Sequence, residues 1–482
     1  MDWTVFWIVV GILVDLVVRV TALIVVPRNR KPTAAMAWLL AIFFIPYIGV
    51  FLFLLIGSPK LPKSRREKQE RINEIIASGV PGLTAARDSN TWPAWLPGLV
   101  AYNESLGAAP MVGGNSARLI ADYAASLHEM SEAIGQATKF VHIEFYIVAF
   151  DDTTHEFFAA MEAAVARGVA VRVLLDHIAS IRTSVHRATF AELDRIGVEW
   201  SFMLPVQPFK GNWQRPDLRN HRKLVVVDGE VGFTGSQNLI SRDYNSKKKI
   251  RRGLMWQELM TRVTGPAVHA LDVIFLSDWF IETGEPVRPE EDFIPAATGD
   301  LDCQVVPSGP GFVHENNLRL FLGLIHSASS RVIITSPYFV PDEALMYAIT
   351  SARGRGLDVQ LFVSEIGDQG PVFHAQRSYY SDLLEAGVRI WLYPAPFILH
   401  SKHLSIDDDI AVIGSSNMDI RSFALDLEVS LLVHGEGFVA QMRQVEQDYR
   451  DAGRELTLEE WRREPLRRTF ADGLARLTSA LQ

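Results

Sequence analysis

Cysteine is all but missing from this chain: Cys303 is the only one in 482 residues. No disulfide can form within the chain, and a CxxC metal site is excluded. Positive charge is in deficit too. With 47 Lys and Arg against 56 Asp and Glu, the formal net charge is −9, which argues against a general nucleic-acid binder. The N-terminus has neither a basic n-region nor a small-residue cleavage site, so it does not read as a cleaved signal peptide. Apolar residues, by contrast, make up 48% of the sequence, ample for two or three domains with large cores.

Two long apolar runs come first. One covers residues 3–26 and is interrupted by Asp15 and Arg19; the other covers 34–57 and carries no charge. Each is about 24 residues long, enough to cross a ~30 Å hydrocarbon core, and together they are expected to form a transmembrane helical hairpin. Asp15 and Arg19 are spaced i, i+4 and can pair on one helix face. Lipid penalises them, so that face should turn toward protein or an interface; an interfacial helix is the other reading of this run. Pro46 and Gly49 fit either a membrane helix or a re-entrant hairpin. The short loop holds Arg28, Arg30 and Lys31, and the flank beyond holds Lys60, Lys63, Arg65, Arg66, Lys68 and Arg71. The larger cluster favours a cytoplasmic body with the short loop outside and could also hold anionic lipid headgroups.

Residues 58–97 read as a polar juxtamembrane linker, and beyond it the chain repeats itself. A strand over 141–147, a helix over 155–167 and a strand over 169–175 are matched by a strand opening at Arg331, a helix over 342–353 and a strand over 357–363. Arg167-Gly168-Val169 matches Arg355-Gly356-Leu357. Strands alternating with helices predict an α/β fold of mixed sheets flanked by helices. The repeat predicts two pseudo-symmetric lobes, over 98–295 and 296–482.

The chemistry lies in a doubled motif. His221-Arg222-Lys223 with Asp228 is followed, after six residues, by Gly235-Ser236-Gln237-Asn238. His400-Ser401-Lys402 with Asp407 is followed, after six residues, by Gly414-Ser415-Ser416-Asn417. One copy alone is a modest signal, but two copies with shared spacing at matching places in a repeat are a strong one. Residues two apart on a strand share a face, so His221 projects with Lys223 and His400 with Lys402. The Gly-Ser turns let Asn238 and Asn417 return to that face. Two lobes would then present two His, two Lys and two Asn to one cleft, with Ser236 and Ser415 as further phosphate contacts.

That set suits a phosphodiester. Lysine and amide groups can hold the non-bridging oxygens as charge builds. One imidazole can attack phosphorus to give a phosphohistidine. The other can protonate the leaving alkoxide and then deprotonate the incoming hydroxyl. The lysines supply the positive charge, so neither a metal nor another cofactor is expected. A nucleophilic imidazole needs an acceptor at its far nitrogen; Glu428 is a candidate, and Glu258 holds the equivalent place in the first lobe. Asp228 and Asp407 complete the motifs, but near the strand ends they read as fixing loop architecture more than touching phosphate. Lys247, Lys248, Lys249, Arg251 and Arg252 form a basic loop, either a headgroup recruiter or simply solvated. The tail from Trp461 to Phe470, with Arg462, Arg463, Arg467 and Arg468, has an amphipathic look that fits a membrane surface or packing on the second lobe. His142, His186 and His403 read as structural.

With these motifs, and with Arg30-Lys31-Pro32-Thr33, Gly265-Pro266-Ala267-Val268, Asp278-Trp279, Ser308-Gly309-Pro310, Pro337-Tyr338-Phe339-Val340-Pro341 and Asn417-Met418-Asp419-Ile420-Arg421-Ser422-Phe423, the chain resembles the bacterial cardiolipin synthases of the phospholipase D superfamily over nearly its whole length. The resemblance implies phospholipase D-like lobes, a multi-pass protein of the bacterial inner membrane, and condensation of two phosphatidylglycerol molecules into cardiolipin with release of glycerol. It implies that His221 attacks and His400 is the acid/base. Its implied partners are phosphatidylglycerol, cardiolipin and the bilayer, with no nucleic acid and with oligomeric state open. Gly235-Ser236 stands where relatives often have two glycines, and Glu258 where they often have Asp. Two other readings stay open at this point: hydrolysis by the same site, and a non-catalytic lipid-binding scaffold.

Overall fold

The computed structural model describes residues 3–28, 30, 32–57, 65, 67, 68, 92–207, 214–286, 295–312 and 315–477. Most of the 58–97 linker, with Lys60, Lys63, Arg66 and Arg71, lies outside them. The first lobe contributes β1 (Val112–Ile120), β2 (Phe140–Phe145), β3 (Ala170–Asp176), β4 (Glu199–Met203), β5 (Lys223–Val227), β6 (Val231–Gly235) and β7 (Met260–Thr264). The second contributes β8 (Leu301–Ser308), β9 (Arg331–Thr335), β10 (Asp358–Ser364), β11 (Arg389–Tyr393), β12 (His403–Ile406), β13 (Ile410–Gly414) and β14 (Asp426–His434). One mixed sheet runs through both, in the order β4-β3-β2-β5-β6-β7-β1-β8-β14-β13-β12-β9-β10-β11. Each strand of the first lobe has its counterpart seven strands later, so the order reads the same outward from the antiparallel β1–β8 pair.

Runs such as Lys223-Leu-Val-Val-Val are buried along their whole length, as expected of strands covered on both faces. At the junction, α4 (Ala267–Thr283) and α6 (Glu436–Ala452) pack into a core that also takes Cys303, Val305, Val429 and Leu431. The two lobes therefore share buried apolar surface. The boundary near residue 98 shifts: the segment from Trp92 to Met111 packs on the second lobe, with Leu96, Val100 and Met111 in that lobe's core. Asn103 donates to Gln304 at 2.9 Å.

The first apolar run is one helix, α1 (Trp3–Val25). Arg19 pairs with Asp15 at 2.7 Å and lies over the Phe43 ring, so the charged pair faces protein as expected. The expected second span over 34–57 is instead two helices, α2 (Pro32–Phe44) and α3 (Pro46–Ile56). Pro46 has no N–H for the helix ladder and disfavours helical geometry at Ile45, which sits at φ −135°, ψ 69°. The chain folds back there. Trp38 and Phe53 meet edge to face at 5.5 Å, Arg30 Nε donates to the Gly57 carbonyl at 3.1 Å, and Gly49 lies so close to Ala41 that a Cβ would fall 2.7 Å from its carbonyl oxygen. With 13 and 11 residues, these helices are only about 20 and 16 Å long at ~1.5 Å per residue. Neither crosses a bilayer by itself. Two further helices bear on the site: α5 (Gly370–Arg377) and α7 (Leu466–Arg476), which pack on each other.

Candidate active site

Each catalytic-motif histidine is delivered by a short strand that joins the opposite lobe. Residues 219–220 pair with Asp426 and Leu427 at the start of β14, and His221 N–H donates to Leu427 O at 2.9 Å. Residues 397–399 pair with 255–257, and His400 N–H donates to Gln257 O at 2.7 Å. In both cases the next residue on the partner segment is a glutamate, Glu428 after Leu427 and Glu258 after Gln257. His221 Nδ1 lies 3.0 Å from Glu428 and 3.0 Å from the carbonyl of Ser415. His400 Nδ1 lies 2.8 Å from Glu258. A carbonyl only accepts, so His221 carries its proton on Nδ1 and leaves Nε2 with a free lone pair.

Both rings line one cavity of about 740 Å³. Asn238 and Asn417 line it too, as the sequence implies. Asn238 Nδ2 donates to Tyr244 Oη at 2.8 Å, and Asn417 Oδ1 is buried without a hydrogen-bond partner. Lys223 and Lys402 sit behind the histidines, fully buried, with their ammonium groups donating to the carbonyls of His221 (2.6 Å) and His400 (2.5 Å). Burial and the mutual repulsion of the two ammonium groups push Lys223 down to about 7. Burial pushes Lys402 down to about 8, against nearby Glu258 and Glu428. Burial likewise holds His221 well below the usual imidazole value, with Lys223 and Lys402 adding to the effect. It brings His400 to about 4, Glu258 opposing. Glu428 is raised to about 7 by burial. At Glu258 burial also pushes up, but His400, Lys402 and Ser236 outweigh it and the carboxyl stays below its ordinary range.

Two motif residues take places other than those expected of them. Ser236 and Ser415 were expected at the phosphate, yet both are buried outside the cavity lining. The Ser236 hydroxyl donates to Glu258 at 2.6 Å and accepts Leu259 N–H at 2.9 Å; Ser415 does the same with Glu428 and Val429. These hydroxyls fix the carboxylates that hold the imidazoles. The glycines before them permit it, because a Cβ at Gly235 would fall 2.4 Å from Leu259 O and one at Gly414 2.3 Å from Val429 O. Asp228 and Asp407, grouped with the catalytic set, lie at the far strand ends. Asp228 accepts backbone N–H groups of Thr138, Lys139 and Phe140 at 2.7–2.9 Å; Asp407 accepts those of Ser329, Ser330 and Arg331 at 2.7–3.0 Å. Burial would raise both carboxyls, but these donors hold them below their ordinary value. They close loops and touch nothing in the cavity.

The cavity has walls that the motifs do not announce. Tyr146 stands edge-on to His221 at 5.1 Å, and Tyr338 and Tyr244 stand edge-on to His400 at 6.2 and 6.4 Å. Asp217, Arg219, Asp419, Arg421 and Asp426 line the cavity, as do Lys249, Trp256, Asp368 and Gln369. The basic stretch, expected as a loop, forms a short helix over Lys247–Arg251, and its Lys249 turns inward over Trp256 at 4.1 Å and pairs with Asp368 at 3.5 Å. A signal for the tyrosines existed: Tyr146 and Tyr338 stand just past the equivalent strands β2 and β9, and clefts of α/β sheets gather at such carboxyl ends. Leu55 and Ile56, at the end of α3, complete the lining.

A family model described as "Cardiolipin synthase, PLD-like domain" matches residues 130–279 and 321–449. The chain belongs to that family. A second model, described as "Phospholipase_D-nuclease N-terminal", matches residues 17–58. Among family members, the chain is 33% identical over 436 residues to the cardiolipin synthase of Halalkalibacterium halodurans, covering 89% of this chain and 85% of that one. It is 30% identical over 467 residues to cardiolipin synthase A of Proteus mirabilis, covering 95% and 94%. In fold it is similar to the crystal structure of phosphatidylserine synthase from Haemophilus influenzae Rd KW20, with a TM-score of 0.57 at 15% identity over 75% of this chain and 94% of that one. As a cardiolipin synthase family member this chain keeps both histidines in the lining of one cavity and both lysines buried behind them, and it carries an N-terminal helix apolar enough to associate with a membrane.

Proposed function

We propose that this protein is a cardiolipin synthase, a phosphatidyltransferase that joins two phosphatidylglycerol molecules and releases glycerol. The observation that carries the reading is the convergence of His221 and His400 on one cavity, each oriented by a carboxylate from the other lobe. His221 Nε2 attacks phosphorus, and the bond to the glycerol oxygen breaks. His400 gives its proton to that leaving oxygen. The second phosphatidylglycerol then enters, His400 takes the proton of its headgroup hydroxyl, and that oxygen displaces His221 from phosphorus. The asymmetry of the two carboxyls supports these roles. Glu428, raised to about 7 by burial, carries only about half a negative charge at neutral pH, so it favours an imidazolium at His221 less than Glu258 does at His400. Glu258, held ionised, favours the imidazolium that His400 must become, and the bound phosphodiester anion favours it further. Lys223, Lys402, Asn238 and Asn417 balance the charge on the phosphoryl oxygens.

The folded-back hairpin supports one membrane placement. With α1 crossing once and α2–α3 returning to the side they entered, Arg28, Arg30 and Lys31 fall on the same side as the basic run after Gly57. Both clusters then favour one orientation: a cytoplasmic catalytic body and an external N-terminus at the inner membrane. Lipid mass spectrometry on a cardiolipin-free host expressing the chain tests the enzymatic reading. Cardiolipin with equimolar glycerol supports it, phosphatidic acid alone assigns hydrolysis, and no turnover assigns a scaffold.

A further inference from the structure

Helix α7 is inside out for a surface helix. Its inner side is small and polar: Ala475 touches the core, and Asp472, 2% exposed, pairs with His374 at 2.6 Å and Arg377 at 3.2 Å, both on α5. Its outer side carries Leu466, Phe470 and Leu474, continued by Leu477, at 87, 74, 57 and 75% exposure. At ~3.6 residues per turn these four side chains fall within about 80° of one another. A helix seated in this way ordinarily turns its apolar stripe to the core. Here the seat is made by an ion-paired contact, and the stripe is left facing out.

Two observations say what covers it. Residues 459–477 hold five arginines, Arg462, Arg463, Arg467, Arg468 and Arg476, against four acids, Glu459, Glu460, Glu464 and Asp472. Arg463, Arg468 and Arg476 pair with Glu459, Glu464 and Asp382, and the exposed Arg467 borders the stripe. An apolar stripe set among cations matches an anionic lipid surface. The position is also continuous with the membrane segment. Val372 of α5 and Gln369 at its start line the same cavity as Leu55 and Ile56 of α3, so α7, the cavity mouth and the end of the hairpin follow one another. We propose that α7 is a second membrane contact, lying in the headgroup layer of the anionic bilayer that holds α1–α3 and pressing the cavity mouth onto it. This rests on the membrane reading of α1–α3 and on no particular lipid substrate.

The full-length protein, reconstituted in vesicles, tests it. Cys303 is buried, so a fluorophore on Phe470→Cys reports from one place, with Glu230→Cys, exposed beside Asp228 at the far strand end, as control. Emission at 470 should shift to the blue and be quenched by doxyl-labelled lipid several-fold more than at 230, and more in phosphatidylglycerol vesicles than in phosphatidylcholine ones. Equal quenching at both positions overturns the proposal. So does a shift that grows with protein density and ignores the doxyl lipid, which assigns the stripe to a second copy of the chain. The triple variant Leu466→Ser, Phe470→Ser, Leu474→Ser should lose about 5- to 10-fold of turnover in vesicles and none in detergent micelles; loss in both, or in neither, also overturns it. Were the enzymatic reading wrong, the unmodified protein would show no turnover in either medium, while the quenching result would stand.

Discussion

Glu428 holds the Nδ1 of His221 at 3.0 Å although 207 residues separate them, and Glu258 holds that of His400 at 2.8 Å across 142. Each lobe therefore owns a histidine and lacks the acceptor that orients it. Glu258→Gln should fold normally yet lower kcat by about 10²-fold or more. Its amide can turn the NH₂ toward His400 Nδ1, whereas the His221 tautomer is also held by the Ser415 carbonyl. Steady-state turnover and a thermal melt of the same preparation separate chemistry from stability.

The two histidines should fail differently. His221→Ala should give no covalent adduct at all. His400→Ala should accumulate a phosphatidyl adduct on His221 if the leaving glycerol departs without help more readily than the second lipid attacks without a base. Intact-protein mass spectrometry after acid-free quenching checks this, and an adduct mapped to His400 would reverse the assignment.

The buried lysines predict an alkaline limb. Lys223 and Lys402 titrate near 7 and 8 in the free protein, and a protonated pair is needed to meet phosphate. kcat/KM should fall from about pH 7 upward, whereas kcat, measured with the phosphate anion bound, should fall only at higher pH. Stability runs the other way. The unfolded chain keeps these lysines protonated to about 10.4, so between about 7 and 10 it binds more protons than the folded chain. These two groups alone therefore make unfolding harder as pH rises through that window.

Asp228→Asn and Asp407→Asn should act on the fold. Each carboxylate accepts several backbone N–H groups, and loss of its charge should cost about 2–3 kcal/mol, seen as a lower Tm, with kcat at permissive temperature within a few-fold of the parent. Both carboxyls are held below their ordinary value. Their contribution is therefore full above the unfolded pKa and is lost as pH falls through the folded one.

The hairpin makes a topological prediction. A membrane-impermeant maleimide should reach Arg28→Cys from the same side as Glu230→Cys. Labelling from opposite sides would restore two crossing helices. Gly49→Leu, which puts bulk where Ala41 already lies, should open the hairpin and change the pattern.

The doubled motif makes the half-sites and the two lobes legible, because spacing in a repeat survives folding; that the strands of both lobes join in one sheet is not legible. Glu428 was legible as a partner for an imidazole. That Ser236 and Ser415 serve the carboxylates was not, since a hydroxyl's partner depends on which strand lies beside it, here β7 or β14. That the second apolar run forms two helices is not legible, because hydropathy counts residues and ignores direction. Pro46 and Gly49 carried the alternative, but only the contact of Trp38 with Phe53 chooses between them. The wall residues Tyr146, Arg421 and Asp426 follow from where strands end, which local pattern does not fix.

Leu55 and Ile56 put the last turn of α3 in the wall of the reaction chamber. A substrate need lift only its polar end out of the leaflet while its fatty tails stay among their neighbours. Such an enzyme reads headgroups and is blind to tail length and unsaturation, so the tails of its product should mirror those of the surrounding pool.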